Sequence, residues 1–176
     1  MATKRLAHVG YGMLERNRVN PENIEAQCAL DATTFADGAE VGTIVSVDKA
    51  AGLVKLTGNL KGILANSERL YETGKQGLRN YHVEPGKMAS VLFLEDGNVF
   101  TTNTVCYDTT EFAAETNLDD ALAAIKTTPL YGDIDTTGVI KVTKNKGTSP
   151  FTVVKVTTMP DGQKGIKFIV TNAAAL

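Results

Sequence analysis

The sequence predicts a mainly β (α+β) protein: a small antiparallel β-sheet or barrel domain with an extended N-terminal arm, one short helix and a C-terminal three-stranded β-meander. Three observations support this fold class. Short runs rich in valine, isoleucine and threonine recur along the chain, and several alternate apolar with polar residues. Polar turns that contain glycine separate these runs. One segment alone shows clear helical periodicity.

The composition is that of a folded globular protein. With 176 residues, 43% apolar and 22% charged, the chain can bury a core in one domain or in two small ones. Its net charge of −2 supplies no basic field of the kind that holds nucleic acid nonspecifically. No run approaches 18 apolar residues, so we expect no membrane span, and the start MATKRLAHVGYG lacks the apolar region of a secretory signal.

The two cysteines, Cys28 and Cys106, are far apart in sequence, and neither belongs to a C-x-x-C motif. We expect both to be reduced, partly buried thiols, with a disulfide between them as the alternative. This expectation fits a protein that is made and assembled in a reducing cytoplasm.

Residues 1–34 show neither clean helical nor clean strand periodicity. A stretch of this length without structure is unusual in a compact domain, so we predict an extended arm that becomes ordered by lying on another surface. Its four basic side chains are candidate partner-binding residues: Lys4, Arg5, Arg16 and Arg18.

Residues 35–106 are predicted to form the antiparallel β-domain. Its first hairpin joins 41–47 to 53–57 through a polar, glycine-containing turn. Its second hairpin joins 88–94 to 99–105 across Asp96-Gly97, because a glycine after aspartate suits the turns that connect hairpin strands.

The second hairpin ends in the row TTNT at 101–104. These hydroxyl and amide side chains include no base, acid or metal ligand. We expect them on the outer face of the strand, where they would make hydrogen bonds across an interface.

Residues 107–137 are predicted to be an acidic connector with a short helix at about 118–126. Asn117 can cap the first turn, and Pro129 stops any continuation. The apolar residues of the helix fall at i, i+4 and i+7, on one face: Leu118, Leu122 and Ile125. Asp119 and Asp120 are interpreted as partners of the positive end of the helix dipole rather than as catalytic carboxylates.

Residues 138–176 are predicted to be the C-terminal β-meander. The strand candidates 138–143, 151–158 and 165–171 alternate apolar residues with lysine or threonine, as in a sheet with one buried face. The hydrophobic pattern restarts after the connector. This restart favours a second lobe over a sheet packed on the first.

Charge is segregated between these last two segments. The connector carries seven acids and one base, whereas the segment after it carries six lysines and one acid. Such asymmetry suits contact with a complementary protein surface, and a solubilising scatter is the alternative. Lys141, Lys144 and Lys146 complete the candidate partner-binding residues.

No motif in the sequence indicates a reaction. His8 and His82 each stand alone, and no serine lies in a G-x-S-x-G elbow. The stretch from Asp133 to Gly138 resembles the start of a calcium loop, but Lys144 stands where such a loop needs a bidentate glutamate. We therefore predict a protein that is not an enzyme and has no cofactor and no metal.

The chain is β-rich, lacks tryptophan, is rich in Thr, Ala and Gly, and begins with a predicted arm. In these features, and in the predicted hairpins DGAEVGTIVSVDKAAGLVKL and EDGNVFTTNTV, it resembles the auxiliary head proteins of tailed bacteriophages. These capsid decoration or cement proteins bind the outside of the head lattice. The resemblance implies a virion protein on the capsid surface, assembled in the host cytoplasm from homo-oligomeric or lattice-bound copies. Its partners would be the major capsid protein or other virion subunits, with no membrane and no nucleic acid. It also implies that the arm orders on a neighbouring subunit.

Three alternatives remain open at the level of sequence. The first is a tail or head-completion protein, because such phage proteins share much of the same β-rich, Thr-, Ala- and Gly-rich character. The second is a small β-barrel that binds a ligand or nucleic acid, although only Phe151 and Phe168 supply aromatic rings to the basic C-terminal segment. The third is a hydrolase whose catalytic residues come together only in the folded structure.

Overall fold

A computed structural model describes residues 3–6, 11–66 and 81–176. His8 lies outside the described residues. The described residues form one helix, α1 (Glu115–Ala123), a short 3-10 turn at Ala173–Ala175 and thirteen strands. The strands are β1 (Thr3–Arg5), β2 (Leu14–Arg18), β3 (Ile24–Leu30), β4 (Ile44–Asp48), β5 (Leu53–Lys55), β6 (Lys61–Leu64), β7 (Met88–Phe93), β8 (Val99–Thr102), β9 (Val105–Asp108), β10 (Tyr131–Ile134), β11 (Ile140–Thr143), β12 (Phe151–Thr158) and β13 (Lys164–Val170).

The predicted class is confirmed: the fold is mainly β, with a single described helix. The strands form two sheets. Five of them close into a barrel in the order β3-β5-β4-β6-β7, and eight form a larger sheet in the order β1-β9-β11-β10-β12-β13-β8-β2. The barrel closes where β7 pairs with β3, and its interior is filled by apolar side chains such as Leu30, Val54 and Val91.

The larger sheet curls on itself. In a flat sheet β9 and β8 would lie five strand spacings apart, about 24 Å. Along the chain, however, only Asn103 and Thr104 separate them, and the three steps from Thr102 to Val105 span at most about 11 Å. The sheet must therefore bend until its two ends approach each other, and this bend encloses a core that includes Phe100, Phe151 and Phe168.

The predicted arm is extended, but it lies on its own chain. β1 runs antiparallel to β9, and β2 runs antiparallel to β8, so residues 3–5 follow 106–108 and residues 14–18 follow 99–102, each in reverse. Farther along, β3 enters the barrel. The sequence did not indicate these strands because the exposed edge positions are polar and interrupt the apolar alternation.

The predicted hairpin across Asp96-Gly97 is wrong, although the turn itself exists. Gly97 has a φ of 85°, and Asn98 donates to the carbonyl of Glu95 at 3.0 Å. The strands on either side diverge: β7 pairs with β3 and β6 in the barrel, whereas β8 pairs with β13 and β2 in the larger sheet. The Asp-Gly sequence therefore forms the turn, but the two strands on either side of it do not pair with each other.

The predicted domain boundaries also require correction. The first barrel strand begins at Ile24 and the last ends at Phe93, so a division at 34/35 separates β3 from the rest of the barrel. The end at 106 falls within β9 of the larger sheet. The predicted meander 138–176 is not a separate unit. β10 inserts between β11 and β12, and β11 pairs in parallel with β9 on its other side.

The helix is predicted in the right place but begins earlier than expected. It starts at Glu115, and Asn117 caps it from the third position, where its side-chain oxygen accepts the Ala114 N–H at 3.0 Å. Leu118 and Leu122 are buried, and Ile125 packs partly against the same core. Glu115, not Asp119 or Asp120, supplies the acid of the first turn.

Candidate functional site

The four basic candidates of the arm lie on the two terminal strands of the larger sheet. Lys4 and Arg5 belong to β1, and Arg16 and Arg18 belong to β2. Lys4, Arg16 and Arg18 are exposed. Because a terminal strand has one strand neighbour in the described part of the chain, these residues stand on the only edges of that sheet.

Arg5 and Lys141 are brought together on either side of Cys106. Both are in register with it, one on β1 and the other on β11, and Asp133 of β10 continues the row beyond Lys141. In-register neighbours project from the same face of a sheet. The row therefore carries two cationic side chains followed by one carboxylate, and the Lys141 Nζ lies 3.9 Å from an Asp133 carboxylate oxygen.

A cleft of about 310 Å³ opens beside this row, between the barrel and the larger sheet. Arg5 projects into it and pairs there with Glu40. The remaining walls combine hydroxyl, carboxyl and apolar groups. They come from the loop before β4, from the residue after β5 and from the β10–β11 turn, and include Thr34, Phe35, Asp37, Thr43, Leu56, Thr137 and Val139.

The other basic candidates point elsewhere. Lys144 donates to the carbonyl of Glu111 at 3.2 Å, and its ammonium lies 4.9 Å from the centre of the Phe112 ring. The Glu111 carboxylate also accepts the Lys144 N–H at 2.7 Å. Lys146 is exposed in the β11–β12 loop. The seven candidates thus form no single patch.

The acidic connector and the basic C-terminal segment contact each other within the chain. Lys164 on β13 donates to Asp119 at 2.8 Å and to Glu115 at 3.0 Å, and Lys141 approaches Asp133. Burial alone would lower the pKa of Lys164, but its hydrogen bonds to Asp119 and Glu115 outweigh that effect and raise the pKa. These contacts account for part of the charge segregation without a partner.

The stretch that resembles a calcium loop is the turn between β10 and β11. One oxygen of the Asp135 carboxylate accepts the Thr137 N–H at 2.8 Å, the Thr137 hydroxyl at 2.7 Å and the Val139 N–H at 2.9 Å. That carboxylate thus closes the turn, as aspartate does in many turns. Among the described residues, no group of three or more His, Cys, Asp or Glu side chains is placed to hold a metal ion.

The row TTNT lies inside the protein, contrary to the outer face expected from the sequence. Residues 101–104 are all 0% exposed. Thr102 donates to the Met13 carbonyl at 2.7 Å and Thr104 to the Val41 carbonyl at 2.5 Å. Asn103 makes two hydrogen bonds, donating to the Tyr11 carbonyl at 3.0 Å and accepting the Met13 N–H at 2.6 Å.

This buried polar row joins three segments: the arm, the β8–β9 junction and the entrance of the barrel. Backbone approaches it closely. A Cβ on Gly12 would lie 2.4 Å from the Thr104 hydroxyl oxygen, and one on Gly42 equally close to that of Thr102; Gly42 also has a φ of 93°. A sequence signal was present in these glycines, but only the fold shows what they face.

Both cysteines are buried free thiols, as expected. Burial raises the pKa of Cys28, and it raises the pKa of Cys106 to about 12, with help from the nearby Asp135 carboxylate. The Cys106 thiol lies 3.7 Å from an Asp135 oxygen and donates to it. A thiol that stays protonated is a poor nucleophile.

Comparison of the chain with protein-family models, with curated proteins and with solved structures finds no match. Within the described residues, none of the helical structure is both long and apolar enough to cross a bilayer.

Proposed function

We propose that this chain is a virion structural protein of a tailed bacteriophage. It acts as a capsid decoration or cement protein that binds the lattice of the major capsid protein and stabilises the head without catalysis. The observation that carries the proposal is the basic terminal strand β2. It presents Arg16 and Arg18 to solvent on a strand whose backbone has one strand neighbour in the described part of the chain.

An edge strand of this kind binds a partner by strand addition. Main-chain hydrogen bonds to the partner supply affinity, and side chains set the register. Charged side chains on an edge discourage pairing between identical copies. Arginines on β2 therefore favour a partner strand with acidic residues opposite them, and a capsid subunit with an acidic exposed edge is such a partner.

The irregular pairing of β2 fits this role. Between Glu15 and Arg18 the register with β8 shifts, and the side chain of Asn17 is held there by the Thr101 hydroxyl at 2.7 Å. The shift leaves Arg16 and Asn17 outside the regular hydrogen-bonded pairing of β2 with β8.

A single strand-addition contact through β2 is weak, but many copies on a repeating lattice would form a stable coat through multivalency.

The test is co-sedimentation with head particles that were assembled without this protein. The parent chain should sediment with the particles, and Arg16→Glu/Arg18→Glu should weaken binding about tenfold or more, since each lost charge pair is worth about 1 kcal/mol. Lys87→Glu/Lys126→Glu is the matched control, because it makes the same charge change at two exposed lysines outside β2. Equal binding of both double variants would contradict the role of β2.

A second candidate function is binding of a small ligand, favoured by the 310 Å³ cleft. The interior of the barrel is packed with apolar side chains, so a ligand would bind outside it, beside Arg5 and Glu40. A thermal-shift screen of small charged molecules tests this function. A hit should disappear in Val139→Trp, which narrows the cleft, and should persist in Val154→Trp on the exposed face of β12.

A further inference from the structure

The strands of the arm pair with the body of the protein along a single track, which we define as residues 99–108. Side-chain contacts of Arg5 with Glu40 and of Tyr11 with Tyr81 add to this pairing. β1 pairs only with β9 and β2 only with β8 among the described strands. Both arm strands are terminal. The arm, defined here by its described residues 3–6 and 11–18, can therefore leave the track without breaking a pairing between any other two strands.

The track cannot remain empty at low cost. Without the arm, the Asn103 amide loses both of its bonding partners, and the Thr102 hydroxyl loses the Met13 carbonyl. Leu6, which is 1% exposed and belongs to the main core, would also leave its site. Buried polar groups without partners and an open apolar slot are both strongly unfavourable. The track therefore needs an arm at all times.

The connection between the arm and the barrel has the form of a hinge. Asn20, Pro21 and Glu22 are exposed and join the end of β2 in one sheet to the start of β3 in the other. The turn they form is held by a hydrogen bond from the Glu22 N–H to the Asn20 side chain at 3.0 Å and by a long one, 3.4 Å, from the Asn23 N–H to the Asn20 carbonyl. A few dihedral changes would open it.

We propose that the track is an interaction surface for the arm of a second copy of this chain, and that two copies exchange arms. The exchange keeps every contact between arm and track, because the second arm is chemically identical to the first. The two states then differ in the hinge and in the entropy of association, so concentration decides between them. This inference needs only a second copy and does not rest on the proposed function.

The pair Arg18 and Val99 allows a direct test. The two residues are in register on β2 and β8, and neither is buried. In the variant Arg18→Cys/Val99→Cys/Cys28→Ser, a disulfide between the two new thiols therefore records which body holds which arm. Equal amounts of ¹⁵N-labelled and unlabelled variant are incubated together at micromolar and at millimolar concentration, oxidised and digested. We expect linked peptides of mixed isotope composition to rise with concentration and to approach half of all linked peptides.

The control is Lys155→Cys/Lys167→Cys/Cys28→Ser, whose two new thiols face each other on β12 and β13, within the body. It should give only unmixed linked peptides at every concentration. Native mass spectrometry of the unsubstituted chains gives a readout without new cysteines, and a mixed dimer is expected at millimolar concentration. Monomers alone, or a dimer whose arm links are all unmixed, would overturn the proposal.

Discussion

At the scale of single residues, the fold depends on polar side chains in its interior. Residues 101–104 are fully buried, and each makes a hydrogen bond to a neighbouring segment or to the row itself. A buried polar group contributes little net stability when paired but costs much when its partner is removed. Because of this asymmetry, the buried row favours a single arrangement of the arm and the barrel entrance, the one in which its polar groups are hydrogen-bonded.

The first prediction concerns Thr104. Replacing it by valine leaves the Val41 carbonyl without its donor and places a methyl group where the hydroxyl lies 2.5 Å away. We expect Thr104→Val to lower the free energy of unfolding by about 2 kcal/mol or more in urea denaturation. Thr104→Ser, which keeps the donor, should recover most of this loss. The exposed control Thr158→Val should change the free energy of unfolding by less than about 0.5 kcal/mol. An equal loss of stability in Thr104→Val and Thr104→Ser would contradict the role of the buried hydrogen bond.

The second prediction concerns Cys106. Because the folded pKa is about 12 and the ordinary value 9.0, the native state holds this proton more tightly than the unfolded chain. The resulting stability is fully present below pH 9 and is lost as pH rises toward 12. At pH 9 the ionised fraction of the folded thiol is about five hundredfold smaller than that of a free thiol, so iodoacetamide should label Cys106 only after unfolding. Rapid labelling of the native protein would contradict this account.

At the scale of elements, the sequence predicted strand and helix positions better than strand partners. The alternation in 151–158 and the turn at Asp96-Gly97 are local properties, and the structure has a strand and a turn there. Which sheet β8 joins depends on contacts with β13, about 65 residues away in sequence, and alternation carries no information about them. The candidate site was less predictable, because the burial of 101–104 follows from the position of the arm.

The third prediction concerns the attachment of α1 to β13. Lys164 bonds to both Glu115 and Asp119, and its side chain is 30% exposed. Lys164→Met should lower the free energy of unfolding by about 1 kcal/mol after allowance for solvent screening. The loss should shrink in 1 M salt, where the parent interaction is already screened. The control Lys155→Met, on the exposed part of β12, should show neither effect.

At the scale of the whole molecule, the two sheets share one core. Ile44, Ile63 and Leu92 belong to barrel strands but pack in the same cluster as Phe100 and Phe168 of the larger sheet. The sequence favoured two lobes because the hydrophobic pattern restarts after the connector. The hydrophobic pattern restarts because the chain there begins a new set of strands in the larger sheet. The hydrophobic core itself is continuous.

The fourth prediction follows from this shared core. Ile63→Ala should lower the free energy of unfolding by about 2–4 kcal/mol, as cavity-forming substitutions do. In hydrogen exchange, the protection of backbone amides should fall by the same amount in β4 of the barrel and in β13 of the larger sheet, because the two sheets unfold as one unit. Leu60→Ala, at a half-exposed position directly before β6, is the control and should change the free energy of unfolding little. A loss confined to the barrel would indicate two independent units.

The most direct test of the proposed function is the copy number of this chain in purified virions, measured by quantitative mass spectrometry against the major capsid protein. A decoration protein covers the lattice, so the account predicts a ratio near one copy per capsid subunit, or a simple fraction of it fixed by the lattice symmetry. A dozen or fewer copies per particle would indicate a tail or head-completion part. Absence of the chain from virions would contradict the account.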